Sequence, residues 1–159
     1  MRPAIILLLV LLGGAPLRAQ PVPNPVVRAT IPATLISGGG PEVTLASVTL
    51  TVPYATDSVS ITAAPTGYME APTSGVNQLT LRLYRDGVYL QGYVTQFNRH
   101  GANVELPLAL PVSTVDRPDL AGAYTYTLTG QFYGLGYAQT LSSTGSLGTF
   151  IAARFAVTP

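Results

Sequence analysis

The chain has 159 residues, 47% of them hydrophobic and only 9% charged, well under the roughly 25% charged of an average soluble domain. Its basic residues are all Arg and are scattered at Arg28, Arg82, Arg85, Arg99, Arg117 and Arg154 beyond the first 20 residues, so no patch follows a phosphate backbone and nucleic acid is excluded as a partner class. Cysteine is absent, which excludes disulfides, thiolate metal sites, a cysteine nucleophile and a lipidated N-terminal cysteine.

Arg2 precedes the apolar run Ala4 to Leu12, and Gly13, Gly14 and a small-residue region follow it up to Ala19. This order matches a signal peptide over 1–19, cleaved after Ala19 or, alternatively, after Ala15; the run is far short of the roughly 20 residues that span a bilayer. Cleavage after Ala19 removes Arg2 and Arg18 and leaves 6 basic residues against 7 acids, a net charge of about −1. The export signal places the mature chain in the periplasm, at the cell surface or outside the cell. About 140 remaining residues suffice for one self-supporting core.

Residues 20–41 read as an extended arm and hinge. Pro21, Pro23, Pro25 and Pro32 disfavour helix, while Val27, Ala29, Ile31, Ala33 and Leu35 fall on one side at period 2, the pattern of a strand able to join a sheet edge. Ser37 to Pro41, with three consecutive glycines, closes the arm as a loose loop. The domain proper, 42–159, opens with a strand from Val43 to Val52 that has Ala46, Val48, Leu50 and Val52 on its core face. A short strand from Ser58 to Ala63 ends at the turn Pro65-Thr66-Gly67, and the aperiodic stretch from there to Val76 reads as a loop.

Leu79 to Val94 is a hairpin: two β-rich runs meet at Asp86-Gly87, the pair that best tolerates a type I′ turn. Leu79, Leu81 and Leu83 are expected inward, and with them Val88, Leu90 and Val94. Asn98 to Ala102 makes a turn. Val104, Leu106, Leu108 and Leu110 alternate, with Pro107 marking an edge or bulge. From Gly122, Ala123, Thr125, Thr127 and Thr129 alternate with Tyr124, Tyr126 and Leu128, the signature of a half-buried antiparallel strand. The last strand, Leu147 to Val157, points Ile151, Ala153, Phe155 and Val157 inward. No stretch keeps a helical period free of Pro and Gly, so the fold class is all-β: an antiparallel immunoglobulin-like or Greek-key sandwich of about seven to eight strands.

Chemistry is sparse. His100 is the only histidine and sits in a turn, so a transition-metal site lacks ligands. Asp57, Glu70, Asp86, Glu105, Asp116 and Asp119 supply carboxylates for paired acid–base work, but Asp86, Asp116 and Asp119 occupy turns and Asp57 opens a strand. Gly-x-Ser-x-Gly and calcium-loop spacings are absent. Tyr89 and Tyr93 share the side of their strand opposite the aliphatic residues, which makes them candidates for a surface contact with glycan or protein.

The order of two segments carries a resemblance. The hairpin with Leu81, Leu83, Tyr84 and Asp86, followed by Pro118, Ala121, Gly122, Tyr124, Thr125 and Thr127, resembles spore-coat-U-type secreted domains and chaperone–usher pilins, and Gly148 to Val157 is similar to a pilin C-terminal strand. The chain departs from that family in lacking N-terminal cysteines and in continuing past the second segment. The resemblance implies an incomplete sandwich completed by a strand from a neighbouring subunit, with Val27, Ala29, Ile31, Ala33 and Leu35 as donor residues. The leading expectation is therefore a secreted, non-enzymatic structural or adhesive protein without cofactor, associating with itself or with related subunits. Three other readings stay open: a glycan- or protein-binding module, a small outer-membrane barrel and an enzyme.

Overall fold

A computed structural model describes residues 25–70, 75–99, 105–140, 142–143 and 146–155. The expected signal peptide and the turn containing His100 lie outside them. The elements are β1 (Val26–Thr30), β2 (Thr34–Ser37), β3 (Val43–Val52), β4 (Ser58–Ala64), β5 (Thr66–Glu70), β6 (Gly75–Arg85), β7 (Val88–Arg99), β8 (Glu105–Ala109), β9 (Val112–Asp116), β10 (Gly122–Tyr133), β11 (Tyr137–Thr140), β12 (Ser142–Ser143), β13 (Ser146–Leu147) and β14 (Thr149–Phe155). Three four-stranded sheets have the orders β1-β14-β4-β9, β3-β10-β6-β7 and β2-β11-β5-β8, and β12 pairs with β13. Neighbouring strands in these sheets run antiparallel.

The first and third sheets are two arms of one bent layer. β1 leads into β2, β4 into β5 and β8 into β9, and each corner carries a proline: Pro32, Pro65 and Pro111. The corners align across the layer, because Thr30 pairs with Thr149, Thr149 with Ala64, and Ala63 with Val112. Gly148 fills the fourth place in this row: Ile31 N–H donates to its carbonyl at 2.8 Å, and a Cβ there would stand 3.4 Å from the Pro65 Cα. A residue that lacks an N–H interrupts the ladder, so aligned prolines let all strands turn together. This corrects the expectation for 65–76. Pro65 is a corner and not a terminator, β5 continues to Glu70, and β6 already begins at Gly75.

One core lies between the bent layer and the sheet β3-β10-β6-β7. Ile31, Val59, Ile61, Ala63, Val112, Phe150 and Ala152 come from one side; Ala46, Val48, Leu50, Val52, Leu79, Leu81, Leu83, Tyr126, Leu128 and Phe132 come from the other, with Ile36 and Met69 under the second arm. Burying each large aliphatic side chain stabilises by about 1.5–3 kcal/mol. The fold is an open antiparallel β-sandwich. Every four-stranded sheet ends in a strand with one neighbour, so the described strands do not close into a barrel, which corrects the outer-membrane alternative.

Two bulges set the side-chain phase. Leu128 pairs with Ala46 but Thr129 with Thr44, which leaves Leu45 as the extra residue, and both Leu45 and Ala46 are buried. Leu83 pairs with Gln91 but Tyr84 with Tyr89, which leaves Leu90 extra. A single inserted residue exchanges the two faces of a strand. Val94, expected inward, is accordingly outward and 54% exposed, whereas Leu90 and Tyr93 pack against the core; Val88, also expected inward, keeps that side opposite Arg85 but is 60% exposed at the hairpin tip. The hairpin itself has the expected two-residue turn, with φ of 47° at Asp86 and 80° at Gly87.

β14 is also out of phase with the expectation. Phe150, Ala152 and Arg154 point inward, while Ile151 and Ala153 are half-buried and Phe155 is exposed. Arg154, 4% exposed, lies opposite Asp57, 2% exposed, so a buried ion pair shares the inward face with Phe150 and Ala152. The glycine run after β2 is likewise a crossing and not a loose loop. Gly38 N–H donates to the Gly136 carbonyl at 2.7 Å, and a Cβ on Gly38 would lie 2.3 Å from the Gly134 oxygen.

Candidate functional site

The outward face of β3-β10-β6-β7 gathers the exposed polar and aromatic groups. Alternation along β3 and β10 brings Ser47 opposite Thr127 and Thr49 opposite Thr125, and their hydroxyls meet at 3.0 and 3.1 Å. Further along, Arg82 donates to Glu42 Oε2 at 2.7 Å, to Gln131 Oε1 at 3.0 Å and to the Tyr133 hydroxyl at 3.2 Å. Thr129 donates to the other Glu42 oxygen. Burial pushes the Glu42 carboxyl up, but hydrogen bonds from Thr129 and Tyr84 and the Arg82 charge outweigh it and hold the group below the ordinary carboxylate range. Tyr84 is raised, first by burial and then by its bond to Glu42, and it keeps the proton it donates.

The aromatic part of this face is a pair. The Tyr84 and Tyr89 rings stand edge to face, 6.0 Å apart at 73°. Tyr89, 57% exposed, lies along the sheet over Gly92: a Cβ at that position would be 2.7 Å from the tyrosine hydroxyl and 3.6 Å from the ring carbon that bears it. Tyr89 is thus outward as expected. Tyr93 is not, because the bulge at Leu90 separates the two. Tyr93 pairs with Leu81 on the core face, and its hydroxyl reaches β9, where it accepts the Ser113 N–H at 3.1 Å and donates to the Ser113 carbonyl.

The carboxylates are dispersed. Asp116, expected in a turn, ends β9 at 8% exposure, accepts from Arg85 Nη1 at 3.0 Å on both oxygens and from the Tyr126 hydroxyl at 2.9 Å. Asp57 and Arg154 are 3.2 Å apart, but Asp57 Oδ2, Ser58 Oγ and Arg154 Nε and Nη1 lack an aligned hydrogen-bond partner among the described residues. Asp86 accepts the Thr125 N–H at 2.8 Å and so docks the hairpin tip on β10. Glu70 and Glu105 are register partners of β5 and β8, and Asp119 is exposed in the β9–β10 connection. Among the described residues no three His, Asp or Glu side chains gather as a metal site, and no pocket opens.

The donor candidates divide at Pro32. Val27 and Ala29 pack against the core and Ile31 is buried, whereas Ala33 and Leu35 face outward and Ile36 takes the inward place. β1 pairs with β14 of its own chain. Its register, anchored by Arg154 N–H to the Pro25 carbonyl at 3.1 Å and by Ile31 N–H to Gly148, turns the N–H and C=O of Val26, Arg28 and Thr30 towards the free edge. Glu42 and the phase of Tyr93 were the features sequence reasoning missed. Glu42 follows a glycine-proline run and has no periodic partner, and no local signal announces the Leu90 bulge.

No protein-family model matches the chain, and no curated protein does. Among solved structures it is similar to infectious bursal disease virus Gx strain, at 14% identity and a TM-score of 0.38 over 86% of this chain and 38% of that one. It is also similar to the infectious bursal disease virus VP2 subviral particle, at 16% identity and 0.34 over 85% and 38%, and to the Gt strain, at 15% and 0.35 over 85% and 37%. The chain spans less than two fifths of those chains, and a likeness this loose carries no argument about function.

Proposed function

We propose that the mature chain is a secreted or cell-surface, non-enzymatic structural or adhesive subunit that assembles by exchanging β1 between copies. The observation that supports this reading is the inequality of the two edges of the bent layer. On the β8/β9 side, Tyr93 occupies both backbone groups of Ser113 and Pro107 in terminal strand β8 has no N–H to offer, two devices that block strand addition. On the β1 side a strand of five residues holds its place against β14 with only Val27 and Ala29 half-buried along its length, and Ile31-Pro32-Ala33 links it to β2. Exchange of one identical strand between copies creates no new type of contact and is a low-cost route to assembly. The same chemistry serves a pilin-like or coat subunit, and Val27, Ala29 and Ile31 are then the side chains that enter the neighbour. The signal-like N-terminus supports export.

The test uses the absence of native cysteine. Arg28 and Ile151 are register partners in a non-hydrogen-bonded pair, whose Cα separation of about 4.5 Å lies within disulfide range. The Arg28→Cys/Ile151→Cys protein, oxidised as a dilute monomer, is expected to stay monomeric in light scattering and to assemble after reduction. Equal assembly of the oxidised monomer overturns strand exchange.

A further inference from the structure

We propose that the outward face of β3-β10-β6-β7, centred on Tyr89, is a binding platform for an uncharged polysaccharide chain. Tyr89 offers a ring 57% exposed and laid along the sheet over Gly92, and Tyr84 holds it from the side. Around the pair, Arg82, Glu42, Gln131 and Tyr133 form a connected array of planar donors and acceptors. A sugar ring needs both parts: an aromatic face for its C–H groups and fixed polar groups for its hydroxyls.

Charge selects the class of partner. Arg82 and Glu42 neutralise one another at 2.7 Å, and Asp86, at the hairpin tip beside Thr125, adds a carboxylate and not a cation. The face therefore carries no net field to attract an anionic polymer, and a nucleic acid, whose bases also stack on tyrosine, finds no free cation beside the ring. Shape selects its form. The face is a twisted sheet surface without a pocket, which suits an extended chain lying across strands rather than an enclosed monosaccharide. The Ser47, Thr49, Thr125 and Thr127 hydroxyls continue the polar surface along β3 and β10. The platform is on the sheet that does not contain β1, so it is independent of strand exchange.

The experiment measures binding of the mature chain to an array of neutral oligosaccharides and to insoluble cellulose and chitin, at low and high salt. Binding that persists at high salt is expected. It should weaken at least about tenfold in Tyr89→Ala, as for a central aromatic anchor, and stay near the original level in Tyr89→Phe. Gly92→Ala is a second variant that keeps the ring and displaces it; it is expected to bind as weakly as Tyr89→Ala with an unchanged melting temperature. No binding to any neutral glycan, binding abolished by salt, or binding indifferent to Tyr89→Ala each overturns the proposal. The oxidised Arg28→Cys/Ile151→Cys monomer is expected to bind each glycan unit as the original does, which separates this outcome from the fate of the assembly reading.

Discussion

Two tyrosines two residues apart on β10 show how much of a residue's role is local. The Tyr124 hydroxyl donates to the Leu120 carbonyl at 2.7 Å, four residues back, the tyrosine corner that fixes a sandwich connection; the Arg85 guanidinium covers its ring at 5.4 Å. Both tyrosines were legible as inward from alternation alone. The partner of Tyr126 was not: Asp116 lies beside a Pro-containing turn in sequence, and only the fold brings it under the ring. Burial first, then the bond to Asp116 and its charge, raises the Tyr126 phenol far above its ordinary value of 10.0. A group with a raised native pKa contributes stability that is complete below the unfolded value and is lost as pH rises beyond it. Urea unfolding is accordingly expected to show stability falling above about pH 10, with a shallower fall in Tyr126→Phe. At neutral pH the same substitution is expected to cost about 1.5–3 kcal/mol, the worth of a hydrogen bond to a charged acceptor.

Elements were legible where one face is plainly apolar, as in β3, β6 and β10, and misread where phase depends on a distant contact. β7 looked regular, but the extra residue Leu90 turns Tyr93 inward and Val94 outward. β14 has two almost equally apolar faces, and the inward one is Phe150, Ala152 and Arg154 instead of the expected Ile151, Ala153 and Phe155. The buried pairing of Arg154 with Asp57 stands at the end of β14, next to the bond that holds Pro25. Removing one partner leaves an uncompensated buried charge, whereas replacing both with apolar side chains of similar size is often neutral or stabilising. Asp57→Ala is therefore expected to lower stability by about 3–5 kcal/mol, and Asp57→Leu/Arg154→Met to restore it to near the original or above. Chemical denaturation of the two variants measures this. A double variant as unstable as the single one would mean that the pair is required for the geometry of this corner.

At the scale of the whole molecule, composition and turn chemistry sufficed for an all-β antiparallel sandwich. They did not suffice for its bent layer, because a proline at a strand end and a proline at a strand corner are identical in sequence and differ only in whether neighbouring strands turn at the same row. Pro32, Pro65 and Pro111 do so together with Gly148. The bend carries Ile36 and Met69 into the core, which makes the first strands part of the sandwich; truncation through Ile36 removes core residues, and a covalent probe of β1 is the cleaner test. The edges follow from the same layer. The β9 edge is capped by Tyr93, and the β1 edge presents the backbone of Val26, Arg28 and Thr30.

The most direct measurement of exchange combines two singly substituted chains. Arg28→Cys protein and Ile151→Cys protein are mixed, unfolded, refolded together at high concentration and oxidised. The account predicts a disulfide-linked species of one chain of each kind, resolved by mass and abolished by reduction, because β1 of one copy lies on β14 of the other. Recovery of only unlinked chains or of dimers of like chains would contradict it.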